Sequence, residues 1–318
     1  MSLLQSNYSL TEFFLVGFQN LNSFKIPLFL LLLITYIMAI SANLLIVALM
    51  STSHLLRSPM YFFLCHLSLC DFVLCTSVIP KTLNVIIRGG SSIPFLACFI
   101  QFYIFGSCLS TECYLLTAMS YDRYVAICHP LSYILIMNFN MCLYLAASSW
   151  LAAFFISLIS LFMIYSFNFC GPNTIDHFYC DLSPILELSC SDTFLAKMGA
   201  SILTTIIVIF PFLFVIVTYV YIFTTILGIT SNIGKQKAFS TCSSHLSVVC
   251  VFYGSLISIY FSPSKGNSLN TNKVISLLYT LVTPLFNPVI YTLRNQIIRN
   301  TVNVFFKRIS QFDVHFFC

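Results

Sequence analysis

A chain of 318 residues with mean hydropathy +0.95, 59% hydrophobic and 7% charged, is not an ordinary soluble domain. Such domains carry about 25% charged residues. The net charge of +5 does not mark a nucleic-acid binder either, because the basic residues are scattered along the sequence.

A bilayer core needs roughly 20 apolar residues per helix, and seven segments meet that demand. Residues 1–24 are mixed and polar. They lack the charged-then-apolar pattern and small-residue cleavage site of a signal peptide, so the first span itself directs insertion. Asn7-Tyr8-Ser9 is the one N-x-[ST] sequon and makes Asn7 the candidate glycosylation site of an outer tail. Span one covers 25–50 and ends before the basic turn His54 to Arg57. Span two, 58–82, opens with Pro59, whose missing N–H has no partner in a first helical turn anyway. Span three covers 95–124 and span four 140–164. Tyr165 to Ala196, with Gly171-Pro172 and a crowd of charges and cysteines, is expected to be a long outer loop. Span five, 197–228, contains Pro211, a kink site. Span six covers 237–261; span seven, 272–292, holds Pro284 and Pro288. Gln296 to Ile309 is basic and apolar and fits an amphipathic helix along the inner interface.

The expected fold is therefore an all-α, seven-transmembrane bundle: an outer tail (1–24), a membrane domain (25–293) and a cytoplasmic helix and tail (294–318). An outside amino terminus puts eight basic residues inside and six at or near the outer side, a weak positive-inside bias. Of fourteen cysteines, Cys98, Cys170, Cys180 and Cys190 fall at the outer face, where disulfides are permitted. Four cysteines allow three connectivities.

Asp71 and Glu112 are acids at membrane depth. An intramembrane carboxylate is a functional hypothesis by default and faces the bundle interior. A sodium ion or a shared proton would reduce the cost of placing two together; a passive polar contact with Asn43, Ser68 or Asn287 is the alternative. If Glu112 faces inward, Leu109, Cys108 and Phe105 share its face, flanked by Gly106 and Ser110. Span six offers a stripe at Tyr253, Leu256, Ile257 and Tyr260. A cavity between the two stripes would suit a small molecule, although ordinary helix packing gives the same periodicity. Asp122-Arg123 pairs an acid and a base at the inner boundary, as an interfacial anchor or as a breakable lock. His177-x-x-Cys180-Asp181 is a poor metal site if Cys180 is in a disulfide. No nucleophile–base arrangement, paired catalytic carboxylates or phosphate-binding loop is present, so no enzyme is expected.

Further motifs occur in order: Pro59-Met60-Tyr61, Leu67-Ser68 with Asp71, Ile79-Pro80-Lys81, Thr111-Glu112-Cys113, and Met119 to Tyr133 (MSYDRYVAICHPLSY). Cys170-Gly171-Pro172-Asn173, Asp176-His177-Phe178, Cys180-Asp181, Lys237 to His245 (KAFSTCSSH), Phe252-Tyr253-Gly254, Pro284, Asn287-Pro288 and Tyr291 follow. This set resembles the odorant receptors, a branch of the rhodopsin-like G-protein-coupled receptors, and the segment between spans six and seven is similar to the tetrapod-type class II. The resemblance covers nearly the whole chain. It implies disulfides Cys98–Cys180 and Cys170–Cys190, and an ion or proton site at Asn43, Asp71 and Glu112. It further implies an odorant pocket of Phe105, Gly106, Leu109, Ser110, Leu256, Ile257, Tyr260 and Thr280. Asp122, Arg123, Tyr219, Tyr253, Asn287, Pro288 and Tyr291 would form the switch. The implied partners are a small hydrophobic odorant, a heterotrimeric stimulatory G protein and the bilayer, with cyclic AMP as output and the plasma membrane of olfactory cilia as the location. Ala42, where the family usually has Gly, and Cys65-His66, in place of the common Ser-Asn, depart from the pattern. A receptor of the same fold for a non-odorant metabolite, and a transporter or channel, are the competing readings.

Overall fold

The structure is a computed structural model that describes residues 11–18, 24–52, 58–169, 173–261, 268–294 and 298–303. Asn7, Cys170 and most of the carboxy-terminal tail lie outside the described residues, as does the side chain of Tyr260. Seven helical segments are long and apolar enough to cross a bilayer. Helices suit that environment because each satisfies its own backbone hydrogen bonds.

Spans one, two and three are α1 (Lys25–Thr52), α2 (Pro59–Arg88) and α3 (Phe95–Cys128). The short α4 (Tyr133–Ile136) lies in the connection to span four, α5 (Phe139–Tyr165). The outer loop contains α6 (Leu182–Glu187). Span five runs through α7 (Phe194–Thr204), a π-helical turn (Thr205–Ile209) and α8 (Phe210–Gly228). Span six is α9 (Asn232–Phe261). Span seven follows through α10 (Ser268–Leu277), a second π-helical turn (Leu278–Val282) and α11 (Thr283–Arg294). Residues 298–303 are helical, in the segment expected to lie along the inner interface.

The helices outrun the expected apolar spans. α2 continues to Arg88 and stops at Gly89, whose φ of 73° and N–H to the Ile86 carbonyl make a left-handed cap. α3 continues to Cys128, one residue before His129-Pro130. It is the central post, packing against α2, α5 and α8.

Span seven departs from regular helix for a reason written in its prolines. Pro284 has no N–H for the Thr280 carbonyl, and Pro288 has none for the Pro284 carbonyl. Both carbonyls find partners on other helices. The Cys75 thiol of α2 donates to Thr280 O (3.5 Å), and the Asn43 amide of α1 donates to Pro284 O (2.9 Å). The π-helical turn stands immediately before Pro284, and the one in span five just before Pro211.

The tail supplies an element that the sequence did not announce. β1 (Glu12–Leu15) pairs antiparallel with β2 (Ser91–Pro94), register Glu12↔Pro94 to Leu15↔Ser91, and parallel with β3 (Thr174–Ile175) in the outer loop. The order β2-β1-β3 makes a small sheet across the outer end of an otherwise helical fold. Alternation drives it: Phe13 and Leu15 are fully buried, and Phe13 stacks on Phe95 at 5.4 Å. The Cys98–Cys180 disulfide fastens the start of α3 to the same loop. Cys190 is also disulfide-bonded. Cross-linking residues 82 apart stabilises a fold by about 4 kcal/mol in the chain-entropy account. Cys98→Ser should therefore lower the melting temperature of the purified receptor and reduce its surface expression.

Candidate functional site

The bundle interior holds a cluster of polar side chains at mid-membrane. Asp71 is fully buried on α2 and accepts from the Asn287 amide (2.9 Å). Glu112 on α3 is buried beside Asp71 and Tyr279. Asn43 reaches in from α1, its amide also donating to Ala39 O (3.0 Å). Asp71 Oδ1, Glu112 Oε1, Asn43 Oδ1, Asn287 Oδ1 and the hydroxyls of Ser68 and Ser107 have no hydrogen-bond partner. Buried polar atoms ordinarily have partners. Two neighbouring buried acids, each with an orphaned oxygen and with Asn287 bonded to one of them, make an environment suited to a cation or an added proton.

Nearer the outer end, a cavity of about 140 Å³ opens beside α3. Phe105, Gly106, Leu109 and Ser110 form its α3 wall; Ser157, Ser160 and Ile164 of α5, and Leu203, Thr204 and Val208 of span five, face them. Asp181 and Leu182 close it from the outer loop. It thus lies between spans three, four and five. Leu256, Ile257 and Thr280, expected to complete a pocket between spans three and six, do not line it. Aromatic packing explains the difference. Phe105 meets Tyr279 edge-on at 6.1 Å and Tyr179 at 5.0 Å, while Phe252 meets Tyr253 at 5.1 Å and Tyr279 at 6.0 Å. These rings fill the space toward spans six and seven, and Ile257 is 39% exposed.

At the inner end of α3, Asp122 is fully buried. It accepts from the Arg123 Nε (2.9 Å) and Nη2, and the Tyr133 hydroxyl donates to its other oxygen (2.8 Å). Tyr219 of span five and Tyr291 of span seven, both buried, lie within electrostatic reach of Arg123. A histidine that sequence reasoning noted only within a motif joins three helices here. Fully buried His245 of α9 bonds through Nδ1 to the Tyr219 hydroxyl (2.7 Å) and through Nε2 to the Leu116 carbonyl of α3 (3.2 Å). Nothing in its spacing distinguished it from an ordinary core residue. Tyr253, the first residue of the span-six stripe, packs against Phe212 at 4.7 Å. His66 accepts the Trp150 indole N–H (3.3 Å), so this departure from the family pattern has a local partner in α5.

The outer cap has its own charged clasp. Lys273, at the start of span seven and 2% exposed, donates to Gly17 O (2.8 Å) and pairs with Asp176 (2.6 Å). It ties the amino-terminal segment, the outer loop and span seven together. His177 beside it is buried with no partner for Nδ1. Burial, and then the Lys273 ammonium, push its pKa down to about 3. Burial raises the Asp181 pKa, opposed by the Leu182 N–H. Cys180 is taken by the disulfide, so the His177-x-x-Cys180-Asp181 run offers no thiolate.

Seven membrane-spanning helices around a buried polar cluster, with a cavity toward one end and a charge pair at the other, define a heptahelical membrane receptor. The family model for olfactory receptors matches residues 32–308. The chain is 43% identical to human olfactory receptor 6B1 over 299 residues, covering 94% of this chain and 96% of that one. It is 44% identical to mouse olfactory receptor 5G29 over 285 residues, 90% and 91% of the two chains. The rat olfactory receptor 226 is 42% identical over 92% of this chain and 90% of its own. The chain belongs to the olfactory receptor family: it is an odorant-type G-protein-coupled receptor of the plasma membrane, and not an enzyme.

Two consequences are measurable. Tyr219→Phe leaves His245 Nδ1 buried without its partner, at a cost of about 1–3 kcal/mol. A lower melting temperature is expected, with increased hydrogen exchange at the inner ends of spans five and six. His177, held neutral against an ordinary pKa of 6.5, contributes stability that is fully present above that value and lost as pH falls toward its folded value. With Lys273 and Asp176 the charged groups beside it, the melting temperature should drop between about pH 6.5 and 4 in the native receptor and less steeply in His177→Asn.

Proposed function

We propose that this receptor binds small hydrophobic volatile molecules in the cavity beside α3 and activates a stimulatory, olfactory-type G protein, raising cyclic AMP. One observation carries the reading: a single helix, α3, provides the cavity wall at Phe105 to Ser110, the mid-membrane acid Glu112 and the inner pair Asp122-Arg123. A ligand touching the upper part of that post can bias the lower part, provided it binds the two states unequally.

Within this reading Phe105, Gly106, Leu109 and Ser110 contact the odorant. Leu256, Ile257 and Thr280 respond from behind the aromatic layer, and Tyr253 senses occupancy through Phe252 and Tyr279. Asp71, Glu112 and Asn43 hold a sodium ion or a proton. The fit rests on their orphaned oxygens: a cation would receive them as ligands, and a proton would join the two carboxyls. Occupancy stabilises the state in which Asn287 is bonded to Asp71. On activation the span six end moves outward, and Arg123, Tyr219, Tyr291 and the Asn287-Pro288 region of span seven rearrange. The exposed apolar side chains of the inner connection support docking of a G protein there. Leu131 is 98% exposed, Ile134 82% and Leu135 78%, beside the Tyr133 that braces Asp122. A protein groove is a natural acceptor for such a patch.

The test is a cyclic AMP assay in cells supplied with the stimulatory α subunit and challenged with an odorant panel. A concentration-dependent rise is expected. Arg123→Ala should abolish it at equal surface expression, and Leu131→Ala should weaken it; an intact response in Arg123→Ala would remove the switch assignment. Asp71→Asn should abolish the sodium or pH dependence of agonist affinity.

A further inference from the structure

The polar atoms around the cavity are unevenly divided between donors and acceptors. Among the described residues that line it there is no Lys, Arg, His, Asn, Gln, Tyr or Trp side chain, so no side-chain nitrogen donor and no cationic group faces the cavity. The Ser110 hydroxyl donates to Gly106 O (2.8 Å) and that of Ser160 to Ile156 O (3.2 Å). With their protons committed to their own helices, both turn only lone pairs toward the space. The Asp181 carboxylate accepts one fixed bond, from the Leu182 N–H (2.8 Å), and carries acceptor capacity beyond it. Only the hydroxyls of Ser157 and Thr204 can take either role. Gly106 faces Ser157 closely: a Cβ there would stand 3.4 Å from Ser157 Oγ, in ordinary contact, and only a longer side chain would crowd it.

We propose that the cavity selects ligands carrying a hydrogen-bond-donating head, a hydroxyl or an amino group, on a compact apolar body, with Asp181 as the specificity-determining acceptor. This rests on the reading of the cavity as the odorant site. A head that donates to Asp181 supplies what the lining lacks. A ketone, ester or ether meets mainly acceptors, and leaves the Asp181 carboxylate unpaired as water is expelled. A ligand carboxylate faces a like charge with no compensating base. The apolar walls, from Phe102 and Phe105 across to Val208, accept the body. The volume suits a compact one: about 150 Å³ of apolar cavity is enough for benzene.

The test uses purified full-length receptor in lipid nanodiscs and measures binding by thermal stabilisation. The probes are benzyl alcohol, benzylamine, methyl phenyl ketone and benzoate, with the same four head groups on a straight alkyl chain of similar volume. The alcohol or the amine should bind best within each skeleton, and the difference between those two separates a neutral from a cationic preference. Asp181→Asn keeps an oxygen for the Leu182 N–H but presents an amide donor. It should weaken the alcohol or amine by about ten- to hundredfold and leave the ketone unchanged or improved. Asp181→Ala controls for loss of the loop cap, and Gly106→Leu, which crowds Ser157, should abolish binding of every probe.

Ketone or carboxylate binding as tightly as the donor probes, or an alcohol response untouched in Asp181→Asn, would overturn the inference while leaving the cavity assignment in place. Binding that survives Gly106→Leu, or no binding by any probe, would overturn the cavity assignment itself and the inference with it.

Discussion

In an apolar bundle, a polar group that loses its local partner must find another inside the protein, because lipid offers none. Span seven turns that constraint into architecture. Pro284 and Pro288 strip the acceptor roles of two carbonyls, and the groups that restore them come from α1 and α2. Asn287, between the two prolines, ties back to Asp71. Three helices are thereby registered against each other at mid-membrane by hydrogen bonds, where apolar contact alone would allow sliding. The π-helical turn before Pro284 includes Tyr279 and Thr280, both buried, and Tyr279 is part of the layer that closes the cavity on that side.

The same economy governs the inner end. Asp122 is buried with two partners, Arg123 along the helix and Tyr133 across the connection, so the boundary charge pair is braced on both carboxylate oxygens. His245 does for spans three, five and six what Asn43 does for spans one and seven: it spends both ring nitrogens on neighbouring helices. Any movement that parts spans three, five and six at this end would have to break or exchange those bonds. At the outer end the tie is covalent and ionic. The Cys98–Cys180 disulfide and the Lys273–Asp176 pair hold the loop that carries Asp181 over the cavity. The three levels share α3, and that shared helix makes coupling between ligand and output physically reasonable.

Much of this was legible in the sequence. The seven spans follow from apolar length against bilayer thickness. The buried acids follow from the cost of charge at membrane depth, and the kinks from proline's missing N–H. The Cys98–Cys180 pairing was legible only through family resemblance, since four outer cysteines allow more than one arrangement. The cavity's position was not legible. Helical periodicity put Phe105, Leu109 and Ser110 on an inward face, but it could not say which neighbour leaves space. Large rings at Tyr279, Phe252 and Tyr253 fill one side, and small residues at Gly106, Ser157 and Ala200 open the other.

Sequence by itself therefore determined the class of structure, because hydropathy, proline chemistry and buried charge act locally along the chain. Tertiary structure alone decided what depends on atoms brought from distant positions. The β1 strand has only alternating Phe13 and Leu15 to announce it and forms because loops at Ser91 and Thr174 offer edges on both sides. Lys273 is an ordinary loop-end lysine until Gly17 and Asp176 surround it. His245 is a motif letter until Tyr219 and Leu116 take its nitrogens. Asp181 is a loop acid until the fold makes it the wall of a cavity. In each case the partners lie far along the chain, and only packing can bring them into contact.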